Sequence, residues 1–262
     1  MVAADEEDAL YVLTAVLLTP AQFPSVLGDD YPEVCATLGL EPYAEGYGLV
    51  LGQDGAGARW TVVSEDVTLV ACAIAAWDCG MDYDLSPDDR SVVAVMPGWP
   101  LSLAVAAPDV PEPHDPPPEE GQAGEWAVLS PPDTSRWGPA QRRLGADEIA
   151  LQWAQWREQA EADVEFVETG EELDGEVRRV LEEVWAYIET PPPPGRIRSA
   201  FASGEARTLR ADGPGWSVVA RTDDIAFVLL DGAPGEVQPV GRGRELPRLL
   251  TALDGIAVRP AA

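Results

Sequence analysis

The chain has 262 residues and carries a net charge of −29, from 46 acidic side chains against 17 basic ones. All the bases are arginine, lysine and asparagine are absent, and His114 is the single histidine. These absences exclude lysine Schiff-base chemistry and the lysines of phosphate loops and kinase-type ATP sites. A nucleophile–histidine pair would have to use His114, which lies in Pro113-His114-Asp115-Pro116 without the rigid support such a base needs.

The hydrophobic fraction of 46% is enough to build a core. The apolar runs Leu10–Leu18 and Val67–Trp77 are shorter than the ~18–20 residues of a membrane span. The first residues are acidic, unlike the basic start of a signal peptide, and Cys35, Cys72 and Cys79 form no disulfide or zinc pattern. A cytoplasmic protein with no membrane association and no cofactor is expected.

Residues 1–89 hold 17 acids and one base, Arg59. Residues 90–145 carry −3, residues 146–194 carry −11, and residues 195–262 carry +1. Salt adaptation would act on the whole surface, so the near-neutral last segment argues against it. Ordinary solubility explains an acidic surface. An acidic face that docks on a basic protein explains its concentration in part of the chain. The same field opposes direct nucleic-acid binding, which needs a basic patch.

In chain order, short helices are expected at Ala21–Leu27 and Tyr31–Leu38. A hairpin follows, with strands Tyr47–Leu51 and Trp60–Val63 joined through Asp54-Gly55. Ser64–Trp77 is compatible with a helix or a hairpin, and its alanines favour the helix. On that helix Cys72 and Cys79 are expected to be buried thiols. Strands are expected at Ser91–Met96 and Leu101–Ala106, and the proline- and acid-rich residues 110–124 read as a linker or loop.

Ile149, Trp153, Trp156, Ala160, Val164 and Val167 recur at three- and four-residue steps and predict a helix whose tryptophans belong to the core. Leu173, Val177, Val180, Leu181, Val184 and Ile188 predict a second, with Thr169 and Glu172 at capping-box spacing. The short connection implies an antiparallel helical hairpin, ended by Pro191–Pro194. Glu158, Glu161, Glu165, Glu168 and Glu183 then fall on its solvated face.

Ala206–Arg210, Trp216–Arg221, Ala226–Leu230 and Val237–Val240 predict an antiparallel meander, with Asp212-Gly213-Pro214-Gly215 as one of its turns. Glu245–Leu253 predicts a closing helix with Gly255 past its end. A Trp-[Ser/Thr]-Val-Val strand after an Asp-Gly pair occurs at Trp60 and again at Trp216, as a duplicated hairpin would produce.

The fold class expected is α+β, with two small antiparallel β-rich lobes and a helical hairpin between them. The divisions are an acidic lobe at 1–109, the linker at 110–124, the helical region at 125–190 and the meander with its helix at 195–262.

Few residues carry chemistry. Asp82, Asp84, Ser86 and Asp88 have the oxygen spacing of a calcium loop, but Pro87 replaces its glycine and Val93 its bidentate glutamate. Asp82, Asp84 and Asp88 remain weak metal candidates, and no catalytic residue is assigned. The arginine pairs Arg142-Arg143, Arg196/Arg198 and Arg242/Arg244 have the chemistry to grip a small anion, and Arg242/Arg244 is preferred. Gly52-Gln53-Asp54-Gly55-Ala56-Gly57 lacks the lysine and spacing of a phosphate loop.

The function expected is a non-catalytic protein-binding module, of immunity, inhibitor or chaperone type, whose acidic surface binds a basic partner protein. Glu158, Glu161, Glu165 and Glu168 are the candidate partner-binding residues. The alternatives are an enzyme using carboxylates and a divalent metal near Asp78–Asp89, and an acidic scaffold without a specific partner.

Overall fold

The computed structural model describes residues 11–22, 30–54, 58–99, 135–163 and 175–259. The chain divides into two compact units: Met1–Leu27 with Glu33–Pro132, and Gly28–Pro32 with Asp133–Ala262. Helix α1 (Tyr31–Thr37) crosses that division. The fold is α+β, as expected, with two antiparallel sheets of four and five strands.

In the first unit β1 (Tyr11–Leu18), β2 (Tyr47–Gln53), β3 (Arg59–Ser64) and β4 (Val92–Pro97) pair in chain order. The expected hairpin is β2–β3, with Val50 opposite Val62 and Leu49 opposite Val63. Strand β1 was not among the predicted strands, although its apolar run is plain in the sequence.

Ser64–Trp77 resolves to the helix α2 (Val67–Asp78). Its start is fixed chemically: the Asp66 carboxylate accepts from the Leu69 amide at 2.8 Å, and the Ser64 hydroxyl accepts from the Asp66 amide at 3.0 Å. Val70 and Ala73 of α2 pack with Ala15, Val50, Val62 and Leu85. Gly48 sits where a Cβ would collide with the side chain of Val70, so this glycine sets how closely helix and sheet approach.

The expected burial of Cys72 and Cys79 is wrong. Both are exposed, because Ala73 and Ala76 take the inward positions of α2, whereas Cys35 is buried.

In the second unit β5 (Ile197–Ser203), β6 (Ala206–Gly213), β7 (Trp216–Arg221), β8 (Ala226–Leu230) and β9 (Val237–Val240) form a meander. It contains the four expected strands and, as its first member, the unpredicted β5.

Helices α3 (Pro139–Leu151), α4 (Trp153–Asp163), α5 (Gly175–Glu189) and α6 (Leu246–Ile256) cover this sheet. Alternate strand residues face opposite sides. Leu209, Val218 and Val228 meet Val180 and Val184 of α5 and Leu249 and Leu253 of α6. Val219, Phe227 and Leu229 meet Ala146 and Ile149 of α3 and Trp153 and Ala160 of α4.

The expected helical hairpin is therefore not confirmed. The described parts of the two apolar stripes, Ile149 to Ala160 and Val177 to Ile188, are those read from the sequence, while Val164, Val167 and Leu173 lie outside the described residues; each described part is buried against its own face of the sheet. The first stripe is also carried by two helices rather than one, since the backbone breaks at Gln152. Trp153 and the half-buried Trp156 are core residues, as expected. Gly255 lies within the last turn of α6 and not beyond it.

The predicted helix at Ala21–Leu27, the strand at Leu101–Ala106, the linker at 110–124 and the capping pair Thr169 and Glu172 lie largely or wholly outside the described residues.

Gly48→Ala should force α2 away from β2 and destabilise the first unit by about 1–3 kcal/mol, measured as a fall in the denaturant midpoint with an unchanged m-value.

Candidate functional site

The densest arrangement of polar side chains among the described residues is buried in the second unit, around Asp212. The sequence placed Asp212 in a turn. In the structure Asp212 and Gly213 continue β6, opposite Ser217 and Trp216, and the turn is made by Pro214 and Gly215 alone. Gly215 has a φ of 77°, which suits the glycine position of a type II turn. The tighter turn puts the Asp212 carboxylate inside the protein, with no solvent exposure.

Three guanidinium groups from different elements converge on it. Arg143 Nη1 of α3 lies 3.0 Å and Arg198 Nη2 of β5 3.2 Å from Asp212 Oδ2, and Arg210 Nη2 of β6 lies 3.6 Å from Oδ1. The Ser217 hydroxyl donates to Oδ1 at 2.6 Å.

The cluster extends outward through paired charges. Arg142 donates to the Trp216 carbonyl at 2.7 Å, to the Ser217 hydroxyl at 2.6 Å and to Asp231 at 2.7 Å. Asp30 lies 3.1 Å from Arg196 and 3.6 Å from Arg143, and Asp147 pairs with Arg210. Trp216, fully buried and packed over Gly213, donates its indole N–H to Glu183 at 2.5 Å. Glu183 is thus a partner of the core and not simply a solvated acid.

Burial by itself would raise the Asp212 pKa. The charges of Arg210, Arg143 and Arg198 and the Ser217 hydrogen bond outweigh it and hold the carboxyl far below the ordinary aspartate range. Burial, followed by the charge of Arg210, lowers the pKa of Arg198.

Two of the arginine pairs singled out in the sequence, Arg142-Arg143 and Arg196/Arg198, do grip carboxylates. The carboxylates are the protein's own. The preferred anion pair, Arg242/Arg244, is exposed, and Arg242 donates only long hydrogen bonds of 3.4 and 3.5 Å to the carbonyls of Asp224 and Thr222.

Asp82, Asp84 and Asp88 are exposed on one loop. Asp84 accepts from the Ser86 amide and Asp88 from the Arg90 amide, each at 2.9 Å, so both close local turns. The Asp84 pKa is lowered by these contacts from Ser86. Among the described residues no group of three or more His, Cys, Asp or Glu side chains is arranged to hold a metal ion. Glu158 is exposed on α4; the side chain of Glu161 and all of Glu165 and Glu168 lie outside what the structure describes.

A second feature of this unit is an open groove of about 530 Å³ at the α3–α4 break. It is lined by Leu151, Gln152 and Trp153 from the break, Phe201 and Ala202 from β5, and Arg221 from β7. Sequence reasoning missed it, because neither the break nor β5 was predicted.

No family model, curated protein or solved structure matches this chain. No helix among the described residues is long and apolar enough to cross a membrane.

Two outcomes test this site. Asp212→Asn leaves three buried guanidinium groups undercompensated and should cost about 3–5 kcal/mol of stability. Because the folded pKa is depressed, the contribution of Asp212 is complete above its unfolded value near 3.8 and is lost as pH falls below that. Hydrogen-exchange protection of β6 and β7 in the native chain should hold down to about pH 4 and then fall, and Asp212→Asn should flatten that fall. In a thermal-shift titration Mg²⁺, Mn²⁺ and Ca²⁺ should leave the melting temperature unchanged; stabilisation abolished by Asp82→Asn and Asp84→Asn would instead favour the metal-enzyme alternative.

Proposed function

We propose that the chain is a non-catalytic, cytoplasmic protein-binding module that recognises a basic partner protein through its acidic surface. The observation that carries this reading is where the positive charge resides. Arg59, the single base of residues 1–89, is buried with its guanidinium 4.6 Å over the ring of Trp99. Arg142, Arg143, Arg198 and Arg210 are buried among aspartates. Arg157, Arg179, Arg207, Arg221 and Arg259 are matched to carboxylates nearer the surface.

Most of the arginines are thus buried or already ion-paired within the protein, and few are left to balance the exposed acids. The field that a partner meets is more one-sided than the composition implies. Such a field accelerates encounter with an oppositely charged protein and repels nucleic acid. Among the described residues the exposed arginines for which no carboxylate ion pair is seen are few, Arg90 in the first unit and Arg242, Arg244 and Arg248 in the second.

Affinity capture from native lysate at about 0.05 M salt should retain a basic protein that is released at about 0.5 M, where screening shortens to a few ångströms. A variant carrying Glu158→Gln, Glu161→Gln, Glu165→Gln and Glu168→Gln should capture less of it. Equal capture by the variant, or capture indifferent to salt, argues for the acidic scaffold without a specific partner.

A further inference from the structure

The groove at the α3–α4 break combines three properties that the buried cluster lacks. It is open to solvent, it is rimmed by large apolar side chains, and it adjoins a strand edge. Leu151 is 86% exposed and Phe201 71% exposed, the two most exposed large hydrophobic side chains among the described residues, and both line this one groove. Apolar side chains gathered on a surface in this way mark a contact site more often than ones scattered singly.

The adjoining edge belongs to β5, the outer strand of the sheet. Its first half is covered. Val258 runs parallel to it, accepting from the Ser199 amide at 2.9 Å and donating to the Ile197 carbonyl at 3.0 Å. Beyond Ser199 no described strand pairs with the outer side of β5, so the half carrying Phe201 and Ala202 offers backbone groups for a further strand.

The charges around the groove are sorted by sign. The arginine that lines it, Arg221, is matched to Asp223, with both contacts at 3.0 Å, and Arg157, further along α4, to Asp224 at 2.9 Å. Three exposed acids lie close to its lining residues along the chain, Glu148 three residues before Leu151 on α3, Glu158 three residues after Gln155 on α4, and Glu205 in the β5–β6 turn, and they enter no ion pair among the described residues. A ligand there meets apolar surface with exposed carboxylates on the adjoining helix turns and on the β5–β6 turn.

We propose that this groove seats an extended segment of the basic partner, in which apolar side chains flanked by arginine or lysine add as a strand to the outer edge of β5. Main-chain hydrogen bonds to Phe201 and its neighbours supply affinity, and the pocket between Leu151 and Phe201 selects the apolar side chain. Glu148, Glu158 and Glu205 select the flanking bases. This rests on the function proposed above and gives the chemistry of the segment that is bound.

The test uses the full chain and random linear peptides displayed on phage. Enriched peptides should combine aliphatic or aromatic residues with arginine or lysine. Measured by fluorescence anisotropy as synthetic peptides, they should lose about tenfold in affinity with Phe201→Asp and with Leu151→Asp. The triple variant Glu148→Gln, Glu158→Gln, Glu205→Gln should lose a smaller, salt-dependent part. Both apolar positions are exposed, so circular dichroism and melting temperature should match the unaltered chain.

Absence of enrichment, enrichment of acidic or purely apolar peptides, or binding indifferent to both single variants overturns the proposal. So does a dimer in sedimentation that Phe201→Asp dissociates, which assigns the groove to a second copy of the chain. Full capture of a basic protein by Phe201→Asp removes the groove and leaves the function proposed above standing. Loss of salt-sensitive capture by the unaltered chain removes that function.

Discussion

Within the second unit, the interaction on which the arrangement depends is the buried carboxylate of Asp212. A carboxylate removed from water costs several kcal/mol unless opposite charge and hydrogen bonds replace the water it loses. Here the replacement comes from Arg143 of α3, Arg198 of β5, Arg210 of β6 and Ser217 of β7. Apolar contacts alone tolerate a helix slid by a fraction of a turn, but a charge network of this geometry does not. Arg142, one residue before Arg143, extends the constraint to β7 and to Asp231 beyond β8. The network thus ties one helical layer to three neighbouring strands and to the residue that follows β8.

The same network shapes the surface. A chain with 46 acids and 17 arginines has little positive charge to distribute, and much of it is drawn inward. Among the described residues few exposed arginines remain for which no carboxylate ion pair is seen, Arg90, Arg242, Arg244 and Arg248. The interior chemistry of the arginines and the proposed exterior role of the acids are two consequences of one uneven composition. The groove adds shape and apolarity to a surface that charge alone leaves unspecific.

Most secondary structure was legible because it rests on local periodicity. The stripes through Ile149, Trp153 and Ala160 and through Val177, Val180 and Val184 are buried as read. The strands of the meander follow the turn residues between them. The misreadings share a cause. Asp212 followed by glycine has turn chemistry, and only pairing with Ser217 across the hairpin makes it a strand residue. Strand β5 has weak local signal, since Arg198, Ser199 and Ala200 gain strand structure from pairing with β6. Two adjacent amphipathic helices suggest a hairpin until the sheet between them supplies a face for each.

By itself, then, the sequence determined the α+β class, the periodic elements, the exclusion of lysine-based chemistry, and the concentration of negative charge in residues 1–194. These are sums or short-range patterns, and neither needs coordinates. The tertiary structure decided which arginines meet which aspartates, that α3–α4 and α5 lie on opposite faces of one sheet, and that Leu151 and Phe201 line one groove. Several of those contacts join residues 50 or more positions apart, such as Arg143 and Asp212 or Leu151 and Phe201. Their meeting is set by the pairing of strands and the packing of layers, which no local period encodes.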